Sequence, residues 1–212
     1  DRTKQVLTEL QKEVKHLIVY HQDNQGAAKS RNMGLSAMSD DIDAFMFLDA
    51  DDQFLPGKMD QMIQYYEKNE HLDIVIGQIG RGMHGDWKVI PTHEDIHREA
   101  MVSLAEAPEI LQSIGPGGKL FKAKFNTLRF DEDVVFCEEH TFVTRAYLMA
   151  RDIQLVPFIV YGYNEREGSI TDQRADTFIS YLEDARKVRR EVMDMLLLVK
   201  EKAYYSYRMD DL

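Results

Sequence analysis

The sequence is short of the features that would place it outside the cytoplasm or on a nucleic acid. Its single cysteine, Cys137, leaves no partner for an internal disulfide and suits a reducing compartment. No apolar run approaches the roughly 18 residues needed to span a bilayer, and the first residues do not form a signal peptide. The chain therefore reads as a cytoplasmic protein, with room for peripheral association at the inner face of the membrane. Positive charge is also scarce, 26 Lys and Arg against 37 Asp and Glu, a net charge of −11. Nucleic-acid binding rests on a basic patch facing phosphates, so that class of partner is excluded. What is present is a 212-residue chain with 44% hydrophobic residues. That is enough to bury one large core, with or without an appended helical segment.

Period and punctuation predict the elements. Val6, Leu7, Leu10 and Val14 recur at helical spacing in the opening segment. LIVYH (17–21) is short and apolar, as a buried strand would be. A small-residue helix is expected from Gly26, then a buried strand in DAFMFLDADD. A helix near Pro56 carries Met59, Met62, Ile63 and Tyr66 on one face, and a strand follows in LDIVIGQI. Helix alternating with strand predicts an α/β fold with a mostly parallel sheet flanked by helices. Further on, WKVI reads as a short strand, GPGGK (115–119) as a loop and residues from about Cys137 to Ala150 as a helix. DIQLVPFIVYGY reads as a strand. From Asp172 one long helix is expected, its seam marked by Phe178, Leu182, Ala185, Val192, Leu196, Val199 and Ala203. That seam suits packing on the domain itself, on a partner chain in a homo-oligomer or on a further domain.

The chemistry gathers at FMFLDADDQFLPGK (45–58). An apolar run ends in Asp49, Asp51 and Asp52, and ligands of open α/β sheets bind beyond the carboxyl ends of strands. Residues two apart in an extended segment face the same way, so Asp49 and Asp51 can converge. Hard cations favour such carboxylates, completed by substrate phosphates. An Asp-rich turn also arises without a ligand, with Asp51 capping the next helix. A buried strand before the turn and no Lys or Arg beside it favour the metal. In the helix predicted from Cys137, Glu139 precedes Phe142 and Val143 by three and four residues, at the head of the apolar stripe. A carboxylate there loses solvation and its pKa rises toward that of a working base. As an alternative, it is a first-turn acid favoured by the helix dipole.

Five segments, NQGAAKSRNMGL (24–35), FMFLDADD (45–52), GGKLF (117–121), FCEEHTF (136–142) and YNEREGSIT (163–171), together resemble the successive motifs of a family 2 glycosyltransferase with the Rossmann-like GT-A fold. The resemblance runs from Asp1 to about Thr171. It implies a glycosyltransferase domain over 1–171 and a C-terminal helical extension over 172–212. It also implies inverting transfer of a sugar from a nucleoside-diphosphate donor, a UDP-sugar by expectation, to a saccharide or lipid-linked acceptor. The expected setting is bacterial surface polysaccharide or teichoic-acid-type synthesis. By the same resemblance Asp49 and Asp51 match the D-x-D that holds Mn2+ or Mg2+, with Asp51 the more direct ligand. Arg31 matches a position near the base and the acidic motif, Glu139 the catalytic base, and Arg166 a basic residue near the diphosphate. The family's second acid is usually aspartate; here it is Glu139, a longer carboxylate. The family's first two strands, which pocket the uracil and part of the ribose, have no counterpart. The domain is therefore expected to be N-terminally incomplete and this chain alone to bind donor poorly. The alternative is a non-catalytic glycosyltransferase-like scaffold module of a longer polymerase.

Other signals carry less. HEDIH (93–97) fits H-E-x-x-H, but Pro91 and charged flanks make a poor context for a zinc helix. His84, Trp87 and His93 are candidates for an acceptor-side loop, Lys119 for a position near phosphate, and Cys137 for a small buried residue.

Overall fold

In a computed structural model of the chain, which describes residues 2–83, 85–165 and 174–199 (side chains of 174–178 excepted), helices and strands succeed one another in this order. The first are α1 (Thr3–Glu13), α2 (Ala27–Ser36), β1 (Ala44–Phe45), β2 (Gln53–Phe54), α3 (Lys58–Lys68) and β3 (Ile74–Met83). They are followed by β4 (Asp86–Val89), β5 (Ala100–Val102), β6 (Lys119–Lys122), α4 (Glu138–Met149), β7 (Ile153–Asn164) and α5 (Arg174–Leu197). The strands form one sheet in the order β1-β6-β3-β7-β2, with β4 on β3 and β5 on β7.

Both faces of the sheet are covered, as the apolar runs require. Along β3 the side chains alternate between two cores. Ile74 and Ile76 join Phe121, Phe142 and Ile153 under α2, α4 and α5. Val75 and Ile79 join Val156, Val160 and Met62 of α3 on the other face. The seam of α5 packs on the domain, since Val188, Val192 and Leu196 are buried in the same cluster as Phe142. Leu182 and Val199 are exposed, and the side chains of Phe178 and Ala203 lie outside the described residues.

The α/β layering is as expected; the strand directions are not. Only β3 and β7 pair in parallel among the described residues, and the remaining pairs are antiparallel. The cause is β6. GGKLFK, glycine-rich and expected as a loop border, enters between β1 and β3 and reverses the local direction. β1, β3 and β7 still point the same way, so their carboxyl ends share one edge. LIVYH forms no strand: residues 17–21 find no ladder partner among the described residues, and Ile18 and Tyr20 are exposed. The strand before the acidic turn is likewise reduced to Ala44–Phe45, with Leu48 exposed.

Candidate active site

The shared edge brings the acidic turn and the head of α4 together around Arg31. Asn32 explains how α2 is held there. Its side-chain amide accepts from the Phe130 N–H at 2.9 Å and donates to the Phe130 carbonyl at 3.0 Å. Phe130 in turn stacks on Phe142 of α4, ring centroids 4.3 Å apart, and Phe47 of the strand preceding the turn meets both rings edge-on. Arg31 lies over the Phe130 ring at 5.3 Å. From there Nη2 reaches both Asp49 oxygens, at 2.9 and 3.2 Å, and Nη1 reaches Glu138 Oε1 at 2.8 Å. Burial opposes the charge on Arg31, but Asp49, Glu138 and Glu139 outweigh it, and its pKa is raised.

The first turn of α4 presents Glu138 and Glu139 after Cys137, which sits in the left-handed region at φ 66°. That conformation is uncommon for a residue other than glycine, and it turns the chain so that the two acids face different partners. Glu138 faces Arg31. Glu139 keeps 24% of its side-chain surface open and lies 3.9 Å from His140 Nε2. Burial, then the neighbouring Glu138, pushes the Glu139 carboxyl up to about 8, the direction a general base requires. The guanidinium of Arg31 captures Glu138.

Of the remaining expected site residues, Asp51 is exposed and Asp49 is half-exposed beside Arg31. Among the described residues no three His, Cys, Asp or Glu form a metal cage. One or two carboxylates at an open edge suit an ion whose shell the donor's phosphates complete. Arg166 and His84 lie outside the described residues. A groove of about 630 Å3 runs between α2 and residues 45–50, lined among others by Ala27, Ser30, Arg31, Gly34, Phe47 and Asp49. A second cavity, of about 330 Å3, lies between the start of α4 and α5, with Phe136, Cys137, His140 and Arg189 in its wall.

Three discounted or loosely placed residues prove structural. HEDIH is no zinc helix: Pro91–His93 is a single 3-10 turn, with His93 buried and His97 exposed. His93 Nδ1 accepts from the Ile79 N–H at 3.2 Å, and its Nε2 lies 2.7 Å from Ser113 Oγ. Lys119, expected near phosphate, is fully buried and donates to Ser113 Oγ at 2.7 Å and to the Gly115 carbonyl at 2.5 Å. Trp87 packs beside Gly162, whose missing Cβ would meet its ring at 2.8 Å.

The model of the family described as glycosyl transferase family 2 matches residues 1–137. The chain belongs to this glycosyltransferase family. The match ends at Cys137, just before the Glu138-Glu139 pair, but more similar relatives extend past it. A putative glycosyltransferase TagX of Staphylococcus aureus (strain MSSA476) is 35% identical over 99% of this chain and 60% of its own length. Glycosyltransferase GlyA of Streptococcus pneumoniae serotype 4 is 27% identical over 92% of this chain and 29% of its own. The chain thus spans 60% of the length of its TagX relative. Among solved structures, S. aureus TarS 1–349 in complex with UDP-GlcNAc aligns with a TM-score of 0.71. The alignment covers 90% of this chain and 54% of that one, at 19% identity. That likeness shows a common GT-A fold.

Within this family member, sequence reasoning missed Tyr161, Asn164 and the role of Asp52. The Tyr161 hydroxyl donates to Asp52 Oδ2 at 2.6 Å and accepts from the Asp49 N–H at 3.2 Å. The Asn164 N–H donates to Asp52 Oδ1 at 3.0 Å, and its side chain donates to the Asp51 carbonyl at 2.7 Å. Tyr161 sits between the buried Val160 and Gly162 in an apolar strand, a pattern that reads only as core.

Proposed function

We propose that the chain carries the catalytic half of a metal-assisted, inverting glycosyltransferase that moves a sugar from a nucleoside diphosphate, a UDP-sugar, to an acceptor hydroxyl. The observation that carries this is the Arg31 bridge. It sets the acidic turn and the Glu138-Glu139 pair on one side of the molecule. The donor class is supported by the UDP-GlcNAc complex of the similarly folded TarS.

In this account Glu139 accepts the proton of the acceptor hydroxyl as that oxygen bonds to the anomeric carbon. The diphosphate leaves from the opposite face with the electron pair of the broken bond. One displacement inverts the centre, through an oxocarbenium-like transition state. Arg31 holds the carboxylates of Asp49 and Glu138, and its charge favours the ionised form of Glu139 that accepts the proton, against burial and the neighbouring Glu138. Asp51, with Asp49, would hold Mn2+ or Mg2+. When bound, such an ion neutralises charge developing on the diphosphate. The cavity lined by Cys137 and His140, close to the base in sequence, suits part of a saccharide or lipid-linked acceptor. Polymer synthesis of the teichoic-acid type at the cytoplasmic face of the membrane is the setting that the sequence resemblance implies. No helix among the described residues is long and apolar enough to cross a membrane.

The test is donor turnover by the full-length protein with UDP-sugars, with and without MnCl2. Metal-stimulated transfer or hydrolysis that EDTA abolishes is expected. Absence of turnover together with absence of UDP binding would favour a scaffold module instead.

A further inference from the structure

Asp52 is the one acid of the turn with no place in the chemistry above, although it is the most tightly held. Its two oxygens are both occupied from β7, one by the Tyr161 hydroxyl and the other by the Asn164 N–H. The same two residues also grip the backbone of the turn on either side, at the Asp49 N–H and the Asp51 carbonyl. The turn closes on itself through the Asp52 N–H and the Asp49 carbonyl at 3.1 Å. Every one of these bonds leaves the carboxylates of Asp49 and Asp51 outside. Asp49 is engaged by Arg31, and Asp51 is exposed.

We propose that Tyr161, with Asp52 and Asn164, is a positioning latch that fixes the acidic turn so that Asp49 and Asp51 present their carboxylates to the donor diphosphate. This rests on the donor-site reading above and adds residues that the reading does not use. An ordinary buried tyrosine needs one partner for its hydroxyl. Here one hydroxyl joins two ends of the turn, residues 49 and 52, and the neighbouring residue 164 takes the remaining carbonyl.

The latch is itself set in a rigid frame. A Cβ on Gly117 would lie 3.0 Å from the Tyr161 ring, so glycine lets the 115–118 loop press closely against it. Phe54 of β2 meets the ring edge-on at 6.0 Å. Lys119 holds that glycine loop from inside through the Gly115 carbonyl. Asn164 also ends β7, two residues before Arg166.

The experiment compares full-length wild type with Tyr161→Phe and Asp52→Ala. Tyr161→Phe keeps the ring and its packing and removes only the hydroxyl. Amide hydrogen exchange at Asp49 in the ligand-free protein should rise at least tenfold, and the Kd for UDP with MnCl2 should rise about tenfold, the scale of one or two buried hydrogen bonds. Turnover at saturating donor should stay within about threefold, because the latch acts on the ground-state presentation of the donor site. The double variant should bind UDP no worse than the weaker single variant, since both break one linkage. An unchanged Kd overturns the latch even if exchange rises, and so does additivity in the double variant. Wild type that fails to bind UDP sinks the donor reading; the latch then stands or falls on the exchange rate at Asp49 alone.

Discussion

Arg31 binds Asp49 and Glu138 with the two ends of one guanidinium, at 2.9 and 2.8 Å. One residue follows the short strand β1 and the other opens α4, so a single planar group sets the spacing between two separate motifs. A guanidinium can do this because its donors diverge in a fixed fork; an ammonium acts from one point.

Arg31→Lys is therefore not conservative. Lysine can reach one carboxylate and leaves the other, Glu138 with only 13% of its side chain exposed, without its counter-charge. The expected outcome in the full-length protein is a fall in kcat/KM of about a hundredfold or more, from the loss of charge-assisted bonds worth several kcal/mol together. Circular dichroism should show the fold retained. Steady-state kinetics over a range of donor concentrations check it, and kcat/KM within about fivefold of wild type would be contrary.

Much of this arrangement was legible beforehand, because it depends on local pattern. The helices around Arg31 and Glu139, the long strands at 74–83 and 153–164 and the acidic end of FMFLDADD follow from period and punctuation. What was not legible depends on non-local register. β6 hides in a glycine-rich segment whose strand character comes from its neighbours, not its own propensity. Tyr161 looks like any apolar strand residue until β2 pairs Phe54 with it and brings the turn overhead. Glu138 and Glu139 are adjacent and chemically alike. A left-handed Cys137 decides which meets Arg31, and no periodicity encodes that angle.

The buried network of Lys119, Ser113 and His93 makes stability depend on pH. Burial lowers the Lys119 pKa to about 7, below its unfolded value. The folded state then binds fewer protons than the unfolded state between about 7 and 10.4, so this group adds stability as pH rises through that window. His93 is lowered well below its ordinary value by burial and by Lys119, and it costs stability as pH falls below about 6.5. Replacing the buried ammonium in Lys119→Met should flatten the rise in Tm between pH 7 and 10. Thermal melts across that range read the slope, and an unchanged slope would be contrary.

Gly82 lies in the β3-β4 hairpin with no room for a side chain: a Cβ there would fall 1.9 Å from the Asp86 carbonyl oxygen. The neighbour is backbone, so the strands must part. Gly82→Ala should destabilise by about 2 kcal/mol or more, read as a lower urea midpoint with unchanged m. A midpoint equal to wild type would contradict the packing described.

The raised Glu139 carboxyl gives a pH profile with a definite sign. Base catalysis needs the ionised form, so kcat/KM should climb with pH and level off above about 8. The same elevation means that the folded state loses stability as pH rises from the ordinary carboxylate range through about 8. Removing the charge in Glu139→Gln should therefore raise Tm at pH 8.5 while abolishing the climb in rate.

That variant also gives the most direct measurement of the central claim, that Glu139 is the proton acceptor of a site shared with the acidic turn. In full-length Glu139→Gln, UDP binding with MnCl2 should stay within about threefold of wild type while single-turnover transfer falls by about a thousandfold, the middle of the range for a general base. Transfer within tenfold of wild type, with its pH climb intact, would place the base elsewhere and contradict the account.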